Sequence, residues 1–111
     1  MDAAKKDPQN VWYLDLNLQK HKQFPFDICQ MTNLKRLDVS FNHFALIPAL
    51  ISNLQQLEWM DISGNYYLNV LPESLGKLQN LKEFRATDNR LKAGELDKIK
   101  KMLPNCKVIT R

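Results

Sequence analysis

The 111-residue sequence is short of the residues that most site chemistry requires. It has three glycines, two cysteines and two histidines. So few glycines leave little room for a phosphate-cradling loop, and no such motif occurs. Two cysteines cannot staple a disulfide-dense scaffold, and neither Cys-x-x-Cys nor His-Glu-x-x-His spacing is present. Long apolar runs are also missing. The longest, Phe44 to Ile51, is broken by Pro48 and falls far short of the roughly 20 residues that a membrane-crossing helix needs. Residues 1–10 are nearly all polar and do not read as a secretory leader. Hydrophobic residues at 44% and charged residues at 25% are the proportions of a chain that folds, within the size of a single domain.

What is abundant is leucine and asparagine, 17 and 10 residues, a bias that calls for a search for internal repeats. Leu34, Leu37, Val39 and Asn42 follow the pattern Leu-x-x-Leu-x-Leu-x-x-Asn. So do Leu57, Met60, Ile62 and Asn65, and again Leu81, Phe84, Ala86 and Asn89. Val11, Leu14 and Leu16 fit its apolar part upstream, with Gln19 at the asparagine position. Leu103, Cys106 and Val108 fit it downstream. The phase steps are 23, 23, 24 and 22 residues. Each unit has a second half: Phe24-Pro25, Ile47-Pro48 and Leu71-Pro72 each precede two further apolar positions.

This pattern resembles the leucine-rich repeat family, in its intracellular 23-residue form with a Leu-Pro step. The resemblance implies an α/β solenoid, a right-handed superhelix with a short parallel β-sheet on its concave face and short helices or 3₁₀ turns on its convex face. The residues read the same way. Alternating Leu37 and Val39, with their equivalents, form one face of a short strand, and stacked units bury what no single unit can. The repeats are expected over 11–33, 34–56, 57–80 and 81–102, after a polar segment at 1–10. Asn42, Asn65 and Asn89 are expected to satisfy backbone groups where each strand turns outward. Residues 95–109 read as a C-terminal cap: Leu96, Ile99, Met102 and Leu103 have helical spacing, Pro104 stops the run, and a last strand follows.

At the other end, the first strand, Val11 to Leu16, is expected to be an open sheet edge and a site of weak self-association. Lys5, Lys6 and Pro8 are residue types that discourage edge pairing. The same features suit either a small complete protein or a terminal piece of a longer array.

Function is expected to be non-enzymatic, since the sequence brings no nucleophile, base or metal ligands into a constellation and implies no cofactor. Cys106 takes a core leucine position, so a buried thiol is expected. Cys29 lies on the convex side, on the order of 15 Å away at the usual strand spacing, beyond disulfide reach. Two unpaired cysteines fit a reducing, intracellular compartment such as the cytoplasm.

Two features face the concave side, and a third lies on the cap. One is a column read as Asp15, Asp38, Asp61, Arg85 and Lys107, acidic toward the N-terminus and basic toward the cap. Another is a set of partner-binding candidates, Tyr13, Arg36, Phe41, Trp59, Tyr66 and Arg85. Aromatic rings and arginines concentrate at interface hot spots, and none of these positions needs a ring for stability. Arg36 stands one strand before Trp59 in the same column and is placed to stack on it. The last feature is charge: residues 1–89 sum to −1 and residues 90–111 to +5. Lys98, Lys100 and Lys101 lie off the apolar stripe of the cap helix. They read either as a solvated face or as a patch for an acidic partner, nucleic acid or an anionic membrane. The family's usual activity, protein binding in a scaffold or regulatory subunit, is what the resemblance implies for the concave face.

Overall fold

A computed structural model describes residues 7–110. Lys5 and Lys6, expected to protect the edge, lie outside the described residues. Five three-residue strands, β1 Tyr13–Asp15, β2 Arg36–Asp38, β3 Trp59–Asp61, β4 Glu83–Arg85 and β5 Lys107–Ile109, pair in parallel in sequence order. The ladder runs past the strands. Val39 N–H donates to Asp61 C=O at 3.0 Å and Phe41 N–H to Ser63 C=O at 2.7 Å, with equivalents in neighbouring repeats.

The convex side is built from 3₁₀ turns at Phe26–Gln30, Ala49–Asn53 and Glu73–Lys77. Each opens after the proline of a Leu-Pro or equivalent step. The carbonyls of Pro25, Pro48 and Pro72 accept the N–H of Ile28, Ile51 and Leu75. The apolar period explains the choice of turn. Ile51, Leu54 and Leu57 recur every three residues, all are fully buried, and each N–H donates to the carbonyl three residues back, which is the 3₁₀ pattern. An α-helix would swing this row out of the core. Cys29, Ser52 and Gly76 hold one position in successive turns, where a small side chain lets the next layer approach. A Cβ at residue 76 would lie 2.6 Å from Met102 Sδ.

The asparagines tie the layers together. Asn42 Nδ2 donates to the carbonyls of Leu16 and Val39, and Asn65 Nδ2 to those of Val39 and Ile62. Val39 C=O is therefore shared by two repeats. Asn89 is different. It is half-buried, its Oδ1 accepts Asn65 N–H at 2.9 Å, and its Nδ2 has no partner among the described residues.

The C-terminal cap has the expected order, α1 Glu95–Met102 and then β5, but two expectations about it fail. Val108 pairs with Phe84 and Lys107 with Glu83. The observed strand steps are thus 23, 23, 24 and 24 residues. A helix replaces the 3₁₀ turn, and the chain takes two more residues to return to the sheet than the motif spacing predicts. Lys107 therefore leaves the aspartate column, where Ile109 now pairs with Arg85. Cys106 falls ahead of the strand rather than at a core position, and it is half-buried.

The buried thiol is Cys29, 2% exposed and pushed up to about 11 by burial. A polar thiol reagent is therefore expected to modify Cys106 in the native protein and Cys29 only on unfolding, in an order that peptide mass mapping reads directly. Faster native labelling of Cys29 would contradict this packing.

The basic cap is also smaller than expected. Lys98 Nζ donates to Leu71 C=O at 2.8 Å and to Glu95 Oε1 at 3.1 Å. The same carboxylate accepts Leu71 N–H at 2.6 Å, and these bonds hold the Glu95 carboxyl below its ordinary range, the Leu71 bond foremost. The pair clamps α1 to the third repeat, which leaves Lys100 and Lys101 as the exposed lysines of the helix. At the other end β1 is an edge strand, as expected. The turn Pro8–Asn10 lies against the first repeat, with Gln9 C=O accepting Asn33 Nδ2 at 2.8 Å.

Candidate functional site

Two columns of side chains stand on the concave face. One runs Tyr13, Arg36, Trp59, Glu83, Lys107 and the other Asp15, Asp38, Asp61, Arg85, Ile109. Both lie outside the core because the intervening residues, Leu37, Met60 and Phe84, point inward and are fully buried.

The centre of the first column is a fixed stack. The Arg36 guanidinium sits 4.5 Å from the Trp59 ring centroid, as the strand spacing predicts. On its other side the indole N–H donates to Glu83 Oε2 at 2.8 Å. The same oxygen accepts Arg85 Nη1 at 3.2 Å, and Arg85 Nε lies 3.8 Å from Asp61 Oδ2. Glu83 is held below the ordinary carboxylate range, first by the Trp59 hydrogen bond and then by Arg85. Trp59 thus presents a half-buried, oriented edge rather than a free ring. Sequence reasoning missed Glu83 as its partner, although the column order places the two side by side.

The aspartates have a local task. Asp15, Asp38 and Asp61 each turn Oδ1 onto the N–H two residues on, at Asn17, Ser40 and Ser63, over 2.9, 3.0 and 2.9 Å. Aspartate makes this Asx turn readily, and the turn bends the chain out of the strand. Between Tyr13, Asp15, Arg36, Asp38 and Trp59 a shallow cavity of about 230 Å³ remains. Tyr13 is strongly exposed on its rim.

The six candidate residues therefore fall into two groups. Tyr13, Arg36, Trp59 and Arg85 share the sheet face. Phe41 and Tyr66 do not join them. They line a separate cavity of about 220 Å³ at the strand exits, together with Leu18, Lys20 and His43. The Phe41 ring lies over Gly64, where a Cβ would collide with it. Arg90 stands 5.6 Å from the Tyr66 ring centroid. The set of candidates is thus divided between two surfaces by the bend after each strand. Among the described residues no group of His, Cys, Asp and Glu is arranged to hold a metal, and no helix is long and apolar enough to cross a membrane.

Comparison with known proteins bears on the fold and on the class of activity. Residues 33–54 and 56–78 match the family described as Leucine Rich Repeat. The chain is 28% identical over 105 residues to an adenylate cyclase of Schizosaccharomyces pombe, covering 91% of this chain and 6% of that protein. It is 35% identical over 77 residues to leucine-rich repeat and calponin homology domain-containing protein 1 of Mus musculus, covering 69% of this chain and 11% of that protein. It thus spans only a small part of the length of these curated relatives. Among solved structures, a leucine-rich repeat protein of Leptospira interrogans superposes with a TM-score of 0.60 at 26% identity, over 94% of this chain and 33% of that one. Internalin C2 of Listeria monocytogenes superposes with a TM-score of 0.71 at 23% identity, over 90% and 41%, a likeness of fold alone.

Proposed function

Since this chain belongs to the leucine-rich repeat family, we propose that it is a non-enzymatic scaffold or regulatory module that binds a protein partner on its concave face. Domains of this fold generally mediate protein–protein interaction. The observation that carries the reading here is the Arg36–Trp59–Glu83 stack. It holds an indole outside the core in one orientation, and a side chain ordered before binding loses little entropy in the complex.

The charges on either side give the partner a direction. Asp15 and Asp38 flank the cavity beside Tyr13, while Arg85 and Lys107 stand on the last two strands. A peptide or helix with a basic end toward the first repeat fits this arrangement, while toward the cap Glu83 and Asp61 offset the charge of Arg85. The interface is modest, below the roughly 800 Å² per partner of standard complexes. The two free cysteines suit action in a reducing, intracellular compartment. The reading through the basic cap is weaker, because Lys98 is engaged in clamping α1. It predicts binding that falls steeply with salt, which an aromatic-centred interface does not share.

Affinity capture with wild-type and Trp59→Ala baits tests the proposal. The variant is expected to lose the main partner, at a cost of about 2 kcal/mol for a hot spot, and to keep its thermal midpoint within a few degrees. Undiminished capture by a folded Trp59→Ala bait would sink the concave-face reading.

A further inference from the structure

A second surface, independent of the Trp59 column, runs along the strand exits. Its foundation is a backbone position that recurs in each repeat. Leu18, Phe41, Gly64 and Asp88 are equivalent residues and all are left-handed, with φ of 59°, 55°, 72° and 54°. The bend out of the strand demands this conformation. Glycine adopts it freely and aspartate tolerates it, whereas a bulky apolar residue is strained there. Leu18 and Phe41 nevertheless hold the position in the first two repeats, and they are 67% and 40% exposed. Neither gains what a core residue gains from burial. Strained residues of this kind concentrate at binding sites.

Around them the chain builds a continuous shelf. Leu18, Phe41 and Tyr66 line the cavity of about 220 Å³. A second cavity of about 320 Å³ lies between Lys22, His43, Ala45 and Tyr67, and His43 is common to both. The rings are braced from within: Phe41 covers Gly64, and His43 meets Tyr67 edge-on at 6.0 Å. The charged side chains that line the two cavities are basic. They are Lys20 and Lys22, Arg90 stands over Tyr66, and neither cavity is lined by an acidic side chain. The shelf ends where Asp88 takes the left-handed position in the fourth repeat.

We propose that this shelf docks an acidic peptide segment, which places an apolar side chain between Leu18, Phe41 and Tyr66 and its carboxylates against Lys20, Lys22 and Arg90. Charge complementarity selects an acidic partner.

A synthetic peptide with a central Leu-Phe pair flanked on both sides by glutamates is the probe, with a lysine-flanked peptide as its counterpart. Both are titrated by fluorescence anisotropy into the full chain. The glutamate peptide is expected to bind at least about tenfold more tightly, a difference of about 1.4 kcal/mol. Phe41→Asn removes the ring and suits the left-handed backbone. It should weaken the glutamate peptide about tenfold or more without lowering the thermal midpoint. Lys20→Glu with Lys22→Glu, at two exposed positions, should reverse the preference between the peptides. Trp59→Ala should leave the glutamate peptide bound, so that failure here and failure of the concave-face reading are separate results. Equal affinity for the two peptides, no binding of either, or binding lost with Trp59→Ala but kept with Phe41→Asn each overturns the proposal. So does binding to phosphatidylserine vesicles that the lysine reversals abolish while the peptide stays unbound, which would assign the shelf to a membrane.

Discussion

Replacing Asn65 by alanine is expected to lower the stability of the fold by roughly 3 kcal/mol, the cost of an orphaned buried carbonyl together with lost hydrogen bonds. Asn65 is fully buried, and its Nδ2 donates to the carbonyls of Val39, Ile62 and Ser63. These acceptors do not suffer equally. Val39 C=O keeps Asn42 Nδ2 at 3.0 Å, and Ser63 C=O keeps Phe41 N–H at 2.7 Å. Ile62 C=O depends on the asparagine and belongs to a fully buried residue. For a domain whose whole stability is of the order of 5–15 kcal/mol, a loss of this size moves the denaturant midpoint markedly. Asn89→Ala is the internal comparison. Asn89 is half-buried and donates through neither Nδ2 hydrogen among the described residues, but its Oδ1 accepts the Asn65 N–H at 2.9 Å, so its loss orphans that one donor and is expected to cost about 1–2 kcal/mol, less than Asn65→Ala. An unchanged midpoint for Asn65→Ala would show that its amide does not bridge the repeats.

Gly64→Val is expected to cost about 3 kcal/mol, in two parts that a double-mutant cycle separates. Residue 64 has φ +72°, and an L-residue with a Cβ loses about 1–2 kcal/mol in that region, more so when it is β-branched. In addition the new Cβ would run into the Phe41 ring, which must swing off the sheet and give up its packing. In a Phe41→Gly background the collision disappears and only the backbone strain remains. The valine should then cost roughly 1–2 kcal/mol, and the difference between backgrounds is the coupling energy. Additive midpoints in urea melts would mean that Phe41 does not cover Gly64 in solution.

Much of this architecture is legible in the residues because it is local and repeated. The Leu-x-x-Leu-x-Leu-x-x-Asn phase places Leu37, Met60 and Phe84 inward and Arg36, Trp59 and Glu83 outward without ambiguity, since a strand admits only two faces. The same phase, once a parallel sheet is assumed, makes Arg36 and Trp59 neighbours and brings Asp61 beside Arg85, and both contacts form. The role of the aspartates is not legible in the same way. Their recurrence reads as a charged column, yet each one turns back onto its own chain, a contact that repeat spacing does not distinguish from display to a partner.

The repeat, the inward and outward faces and the helix that ends the stack are legible in the residues alone, because each follows from periodicity along the chain, and the parallel order of the first four strands follows from what the repeat resembles. Packing between units settles what happens where they meet or where the period breaks. The return from α1 to the sheet sets β5 two residues off the motif, which exposes Cys106 in part and moves Lys107 beside Glu83. Packing between turns buries Cys29, and the Leu71 backbone draws Lys98 out of the basic face. The bend after each strand separates Phe41 and Tyr66 from Trp59, since a left-handed residue at the exit turns the chain away from the sheet and carries its side chains with it.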